Sequence, residues 1–234
     1  MMPRQLEQAS CLYMQYWKQA DRAEACAGLE HLIAQYEAWY DALHEKHELI
    51  ARHPEAAADA FRNIRQCADR LRSGIGVLKT DDTAWKAFRY MNEAMLLQRI
   101  KTKHCPADTV SWYPFQMAYI LQILPDIADG ASPFHENVDL LWFPTGGGKT
   151  EAYLGLAAFT VFYRRLCGRG DGVTVLMRYT LRLLTLQQFE RATALICACE
   201  HMRREYAIPG GEISIGLWIG SGMTPNHLKN AAET

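Results

Sequence analysis

Apolar side chains in the first hundred residues recur at three- and four-residue steps. Leu29, Leu32, Ile33, Tyr36, Tyr40 and Leu43 form one such stripe between Glu24 and Ile50. Phe61, Ile64, Cys67 and Leu71 form a second, and Trp85, Phe88, Met95 and Leu96 a third. This is the period of a helix with one buried face. Pro54 after His53 and the cluster Asp81-Asp82-Thr83 read as helix starts. Residues 1–107 therefore read as a helical bundle without strand-like alternation.

The pattern changes after Pro106. A helix is expected over 115–128, following Pro114, and then a turn-rich stretch, Asp129-Gly130-Ala131-Ser132-Pro133. The apolar runs 138–143, 173–178 and 213–219 have the length of buried strands. Between them lie helical stretches reaching to about Cys167 and from about Leu183 to Arg204. Strand–helix–strand–helix–strand predicts a parallel sheet with right-handed crossovers. The expected fold class is α/β, with a helical region over 1–107 and a partial parallel-sheet domain over 108–234.

Composition supports a folded chain. Of 234 residues, 49% are hydrophobic and 22% charged, enough for a sizeable core. Formal net charge is −1, so bulk charge does not argue for a nucleic-acid partner, and such a contact must come from a local groove. The seven cysteines form no CxxC pair, which fits a reducing compartment and gives no zinc spacing. His44 and His47 lack the four-residue spacing of a zinc helix. The opening MMPRQLEQAS is not a signal peptide, and no apolar run approaches about 18 residues. A cytoplasmic location and no membrane partner are expected.

The strongest chemical signal is Phe143-Pro144-Thr145-Gly146-Gly147-Gly148-Lys149-Thr150, between a strand-like run and a helix-like one. Glycines let a backbone take left-handed angles and turn its N–H groups onto phosphate oxygens. The helix that follows points its positive end at the same anion. Lys149 supplies a mobile cation for the β- and γ-phosphates and is the candidate catalytic residue, while Thr150 offers a hydroxyl to Mg²⁺. ATP and Mg²⁺ are the expected cofactors, held by Gln116, Pro144, Thr145, Gly146, Gly147, Gly148, Lys149, Thr150 and Glu151. By residue frequency this short pattern arises by chance in roughly 1% of chains of such length. The bland alternative is a glycine-rich turn with a solvated lysine.

Phe143 stands where kinases and small GTPases carry glycine. Motors of helicase superfamily 2 are looser there, and Thr145-Gly-Gly-Gly-Lys-Thr-Glu151 resembles their nucleotide motif. Upstream, Trp112-Tyr113-Pro114-Phe115-Gln116 resembles the aromatic–glutamine element with which such motors read adenine. A glutamine amide suits that task because it both donates and accepts; a solvent-facing residue at a helix start is the alternative. Arg178, Tyr179, Thr180 and Gln187 sit where the superfamily first touches the sugar–phosphate backbone. A capped helix start with solvated arginines is the other reading of that segment.

At finer grain the chain resembles the helicase family of the DISARM antiphage systems, DrmA. The phrases are LLWFPTGGGKTEAYLGLAAFT at 140–160, VTVLMRYTLRLLTLQQFERA at 173–192, ISIGLWIG with Thr224-Pro225-Asn226, and, upstream, AFRYMNEAMLLQ at 87–98 and PFQMAYILQ at 114–122. The resemblance covers roughly 60–230. It implies a RecA-like (P-loop NTPase) ATP-binding lobe over 108–234 in an ATP-dependent helicase or translocase. It also implies a nucleic-acid partner, DNA rather than RNA, and protein partners in a defence complex.

Superfamily 2 motors also need an acidic Asp-Glu segment and arginine fingers from a second lobe. Neither follows residue 172, so the chain is expected to be an N-terminal fragment, truncated before that acidic segment and inactive alone. Uncovered sheet edges would favour aggregation or partner binding. Two rivals stand beside this reading: another P-loop enzyme such as a kinase, and a non-catalytic interaction fragment. Arg62–Arg72 and Arg99–His104 are two basic stretches; the second sits at a helix C-terminus, where cations favour the macrodipole, and contact with DNA phosphates is the alternative for either.

Overall fold

The computed structural model describes residues 9–44, 47–130, 132–142, 144, 146–179 and 182–218. Short 3-10 turns at Ser10–Leu12 and Met14–Lys18 lead into α1 (Arg22–His44), where Asp21 accepts the Glu24 N–H. Then follow α2 (His47–Arg52), α3 (Pro54–Thr80) and α4 (Asp82–Lys103). After a 3-10 turn at Ala107–Thr109 come α5 (Pro114–Ala128), α6 (Lys149–Leu166) and α7 (Arg182–Glu205).

The helix starts read from sequence hold. Pro54 and Pro114 occupy first-turn positions, where a missing N–H costs nothing. Asp81 caps α4 by accepting from the N–H groups of Thr83 and Ala84 at 2.7 and 3.0 Å. His104 ends that helix in the left-handed region, returning its N–H to Ile100 O. Residues 10–18 depart from the expected helix. They are 3-10 turns tied to the loop before α5 by the Met14 N–H to Val110 O and Trp112 N–H to Leu12 O bonds.

α4 lies at the centre, packed on α6, α7 and the Met14–Lys18 turn, while α3 bridges α1 and α5. One apolar cluster runs through these elements from Cys11 to Ile213. Its large aromatics keep their polar ends satisfied. Trp17 donates to Cys11 O, and Trp112 donates to Asn92 Oδ1 at 2.7 Å while Asn92 donates on to Phe88 O. The Tyr163 hydroxyl of α6 donates to the α4 cap, Asp81, at 3.0 Å. Two glycines permit close helix approach. A Cβ on Gly74 of α3 would lie 2.0 Å from Leu121 O of α5, and one on Gly155 of α6 would lie 2.6 Å from the Trp112 ring.

The parallel sheet expected over 108–234 is not there. Among the described residues there is no strand, only an isolated bridge between Tyr13 and Ser111, and the fold class is all-helical rather than α/β. The runs 138–142, 173–178 and 213–218 are irregular. A strand needs a partner ladder, and a central parallel strand is covered on both faces. Here Val138, Leu140, Trp142, Val173, Leu176 and Trp218 are largely exposed. Their flanking backbone bonds to side chains instead. Arg164 donates to the carbonyls of Arg169, Asp171 and Val173, and Arg165 to those of Pro209, Gly211 and Glu212. Glu200 accepts the Ile213 N–H. A RecA-like lobe is thus absent among the described residues.

Candidate anion-binding site

The glycine bend ends at the start of α6. Gly146 and Gly148 have φ of +79° and +87°, left-handed angles that glycine adopts without penalty, and the Gly147 N–H closes a turn onto Pro144 O at 3.1 Å. Gly148 is the N-cap and has no side chain with which to accept the leading N–H groups of the helix. Lys149 and Thr150 are the first two helical residues, both half-buried. The Lys149 ammonium reaches back across the bend to donate to Pro144 O at 3.0 Å. Phe143 and Thr145 lie outside the described residues.

Gln116 brings a second helix to the same place. It is the third residue of α5, only 3% exposed, and its Oε1 accepts the Tyr113 N–H at 2.8 Å. Its Nε2 donates to Gly148 O at 2.7 Å. The N-termini of α5 and α6 therefore meet at the bend, and their positive ends add there. The aromatic–glutamine element and the glycine bend, 32 residues apart, are joined directly. Tyr113, 56% exposed, lies beside the bend, since a Cβ on Gly148 would be 3.5 Å from its ring.

Glu151 completes the first turn of α6. Its Oε1 accepts from Arg191 of α7 and, at 3.4 Å, from Arg99 of α4. Neither arginine was assigned to this site from sequence; Arg99 was read as a helix-end cation. Ion pairs 40 and 52 residues apart leave no periodic signal that could have found them.

A cleft of about 1420 Å³ is walled by α6 from Leu154 onwards, by α7 and by the segments 170–179 and 211–218. Arg178 is exposed and Tyr179 half-buried, and both line it with Gln188; Gln187 is exposed. Thr180 lies outside the described residues. Burial raises the Tyr179 hydroxyl above its ordinary value, partly offset by the nearby Arg191 cation. Arg191 donates both to Glu151 and to Gln188 of the cleft wall. Among the described residues no helix is long and apolar enough to cross a membrane.

No protein-family model matches the chain. Alignment with a curated protein of Bacillus paralicheniformis gives 37% identity over 241 residues, covering 94% of this chain. The chain is similar to DISARM protein DrmA. It spans about a fifth, 21%, of the length of DrmA. The resemblance to the DrmA family read from the phrases at 140–160 and 173–192 is borne out by this match.

Proposed function

We propose that the chain is the nucleotide-binding part of an ATP-dependent nucleic-acid motor, a DNA helicase or translocase, in a DISARM-type phage-defence system. The observation that carries the nucleotide reading is the meeting of two helix N-termini at a left-handed glycine bend beside Lys149. The similarity to DrmA supports the assignment to a defence system acting with partner proteins.

The donor set fits a phosphate chain. The leading backbone N–H groups of α6, which no N-cap side chain accepts, supply neutral donors, and Lys149 supplies a charge. The Thr150 hydroxyl would hold Mg²⁺, which neutralises β- and γ-oxygens when bound. Gln116 positions the bend through both ends of its amide. Arg178, Tyr179, Thr180 and Gln187 would contact the nucleic-acid backbone, with the cleft as the groove. Glu151 is engaged by two guanidinium groups; no Asp-Glu pair follows residue 172, and the chain alone binds ATP weakly without turning it over.

Titration calorimetry on the folded chain tests this. Mg·ATP binds saturably, and Lys149→Ala weakens it by about tenfold or more, as expected for loss of a charge-assisted contact. The absence of uptake by a folded wild-type chain, or uptake indifferent to Lys149→Ala, overturns the nucleotide reading. A second reading, an interaction module within a defence complex, is favoured by the exposed apolar side chains Val138, Leu140, Trp142, Leu176 and Trp218. Co-purification of a partner with no nucleotide binding would select it.

A further inference from the structure

The carboxylate of Glu151 brings a negative charge to a polyanion site. It lies two residues beyond Lys149, in the first turn of α6, and is only 13% exposed. A bare carboxylate there would repel a phosphate chain. Its charge is answered by two guanidinium groups from two other helices. Arg191 of α7 pairs with Oε1 and also donates to Gln188, and Arg99 of α4 donates to the same oxygen. One oxygen of one acid thus ties α4 and α7 to the turn that carries Lys149.

We propose that Glu151 is a positioning residue for the anion site, holding Arg99 and Arg191 against the first turn of α6. It thereby favours binding of a polyphosphate although it is itself negative. This rests on the nucleotide reading above. The local sum of the three groups is one positive charge, so the cluster adds to Lys149 instead of opposing it. It also reaches the cleft wall, because Arg191 donates to Gln188, which lines the cleft. Tripolyphosphate, which lacks base and sugar, should feel the cluster as ATP does.

The sign of one substitution decides the matter. If Glu151 acted only as a nearby negative charge, Glu151→Gln would tighten binding of Mg·ATP and tripolyphosphate. As a positioning residue its neutralisation frees both arginines, and affinity for both ligands falls, by about fivefold to tenfold for loss of a charge-assisted network. Arg191→Gln leaves the carboxylate with Arg99 as its only guanidinium partner and should weaken binding further. In Glu151→Gln/Arg191→Gln the repelling charge is gone, so affinity should recover relative to Arg191→Gln alone. Thermal unfolding of each variant without ligand shows whether the chain remains folded, and Arg99→Gln offers a second handle on the same oxygen, from another helix. Unchanged or tighter binding by Glu151→Gln, or purely additive losses in the double variant, overturns the proposal. If wild type itself fails to bind, or Lys149→Ala is without effect, the nucleotide reading falls instead.

Discussion

Gly74 and Gly76 lie two residues apart in the interior of α3, yet the same substitution should move stability in opposite directions. Replacing a helix-interior glycine with alanine removes backbone freedom from the unfolded chain, and stabilises by about 0.5–1 kcal/mol where the new methyl meets nothing. That is the situation of Gly76, whose added Cβ finds no atom within 4 Å. At Gly74 the Cβ would stand 2.0 Å from Leu121 O and 2.8 Å from Leu121 C. These are backbone atoms of α5, held by their own helix, and no rotamer change relieves the overlap. The two helices would have to part by roughly 1 Å, opening an interface packed at near-crystal density. Overpacking of this kind costs about 1–3 kcal/mol, towards the upper end when backbone must move. After the propensity gain, Gly74→Ala is expected to destabilise by about 1–2 kcal/mol. For a chain of this size that is a fall in Tm of about 2–8 °C, against a rise of about 1–4 °C for Gly76→Ala. Far-UV circular dichroism through thermal and urea unfolding measures both. Equal shifts, or a Gly74→Ala chain as stable as wild type, would refute the close approach of α3 and α5.

The loop before the glycine bend is anchored by Arg70, which bonds Asp139 at 2.6 Å and Asp126 at 2.8 Å and lies over the Phe134 ring. All three charged side chains are less than one-fifth exposed. Arg70→Ala leaves two carboxylates without their cation and should cost about 3–5 kcal/mol in urea unfolding; a loss below about 1 kcal/mol would contradict the buried network. Glu200 is held well below the usual carboxylate range, first by Arg203 and then by the Ile213 N–H and Arg204. A depressed folded value means that its stabilisation is complete above the unfolded carboxylate pKa of about 4.3 and fades as pH falls below it. The stability gap between wild type and Glu200→Gln should therefore be full at neutral pH and narrow under acid; a gap independent of pH would count against it. Among the thiols, Cys167 and Cys197 are exposed while Cys11 and Cys199 are buried, and burial raises the Cys11 thiol to about 11. Alkylation followed by mass spectrometry should mark the exposed pair first and Cys11 and Cys199 only on unfolding.

How much was legible divides along the range of the forces involved. A helix is closed by bonds between residues four apart, so Pro54, Asp81 and Pro114 announce their helix starts within a few residues, and the stripe through Leu29 and Ile33 shows which face is buried. The bend at Gly146–Gly148 is equally local, because its left-handed angles require glycine wherever the chain goes next. The strand-length apolar runs around Leu140, Val175 and Ser214 carry no such closure. An apolar run states only that a strand is affordable; the ladder must come from elsewhere in the chain, and here arginines of α6 take the flanking carbonyls. The amide of Gln116 on Gly148, the two arginines on Glu151, and the opposite fates of Gly74 and Gly76 belong to the same class. Local bonding chose the helices and the bend. Only packing in three dimensions decided what they touch, since charges and clashes act across space without regard to separation along the chain.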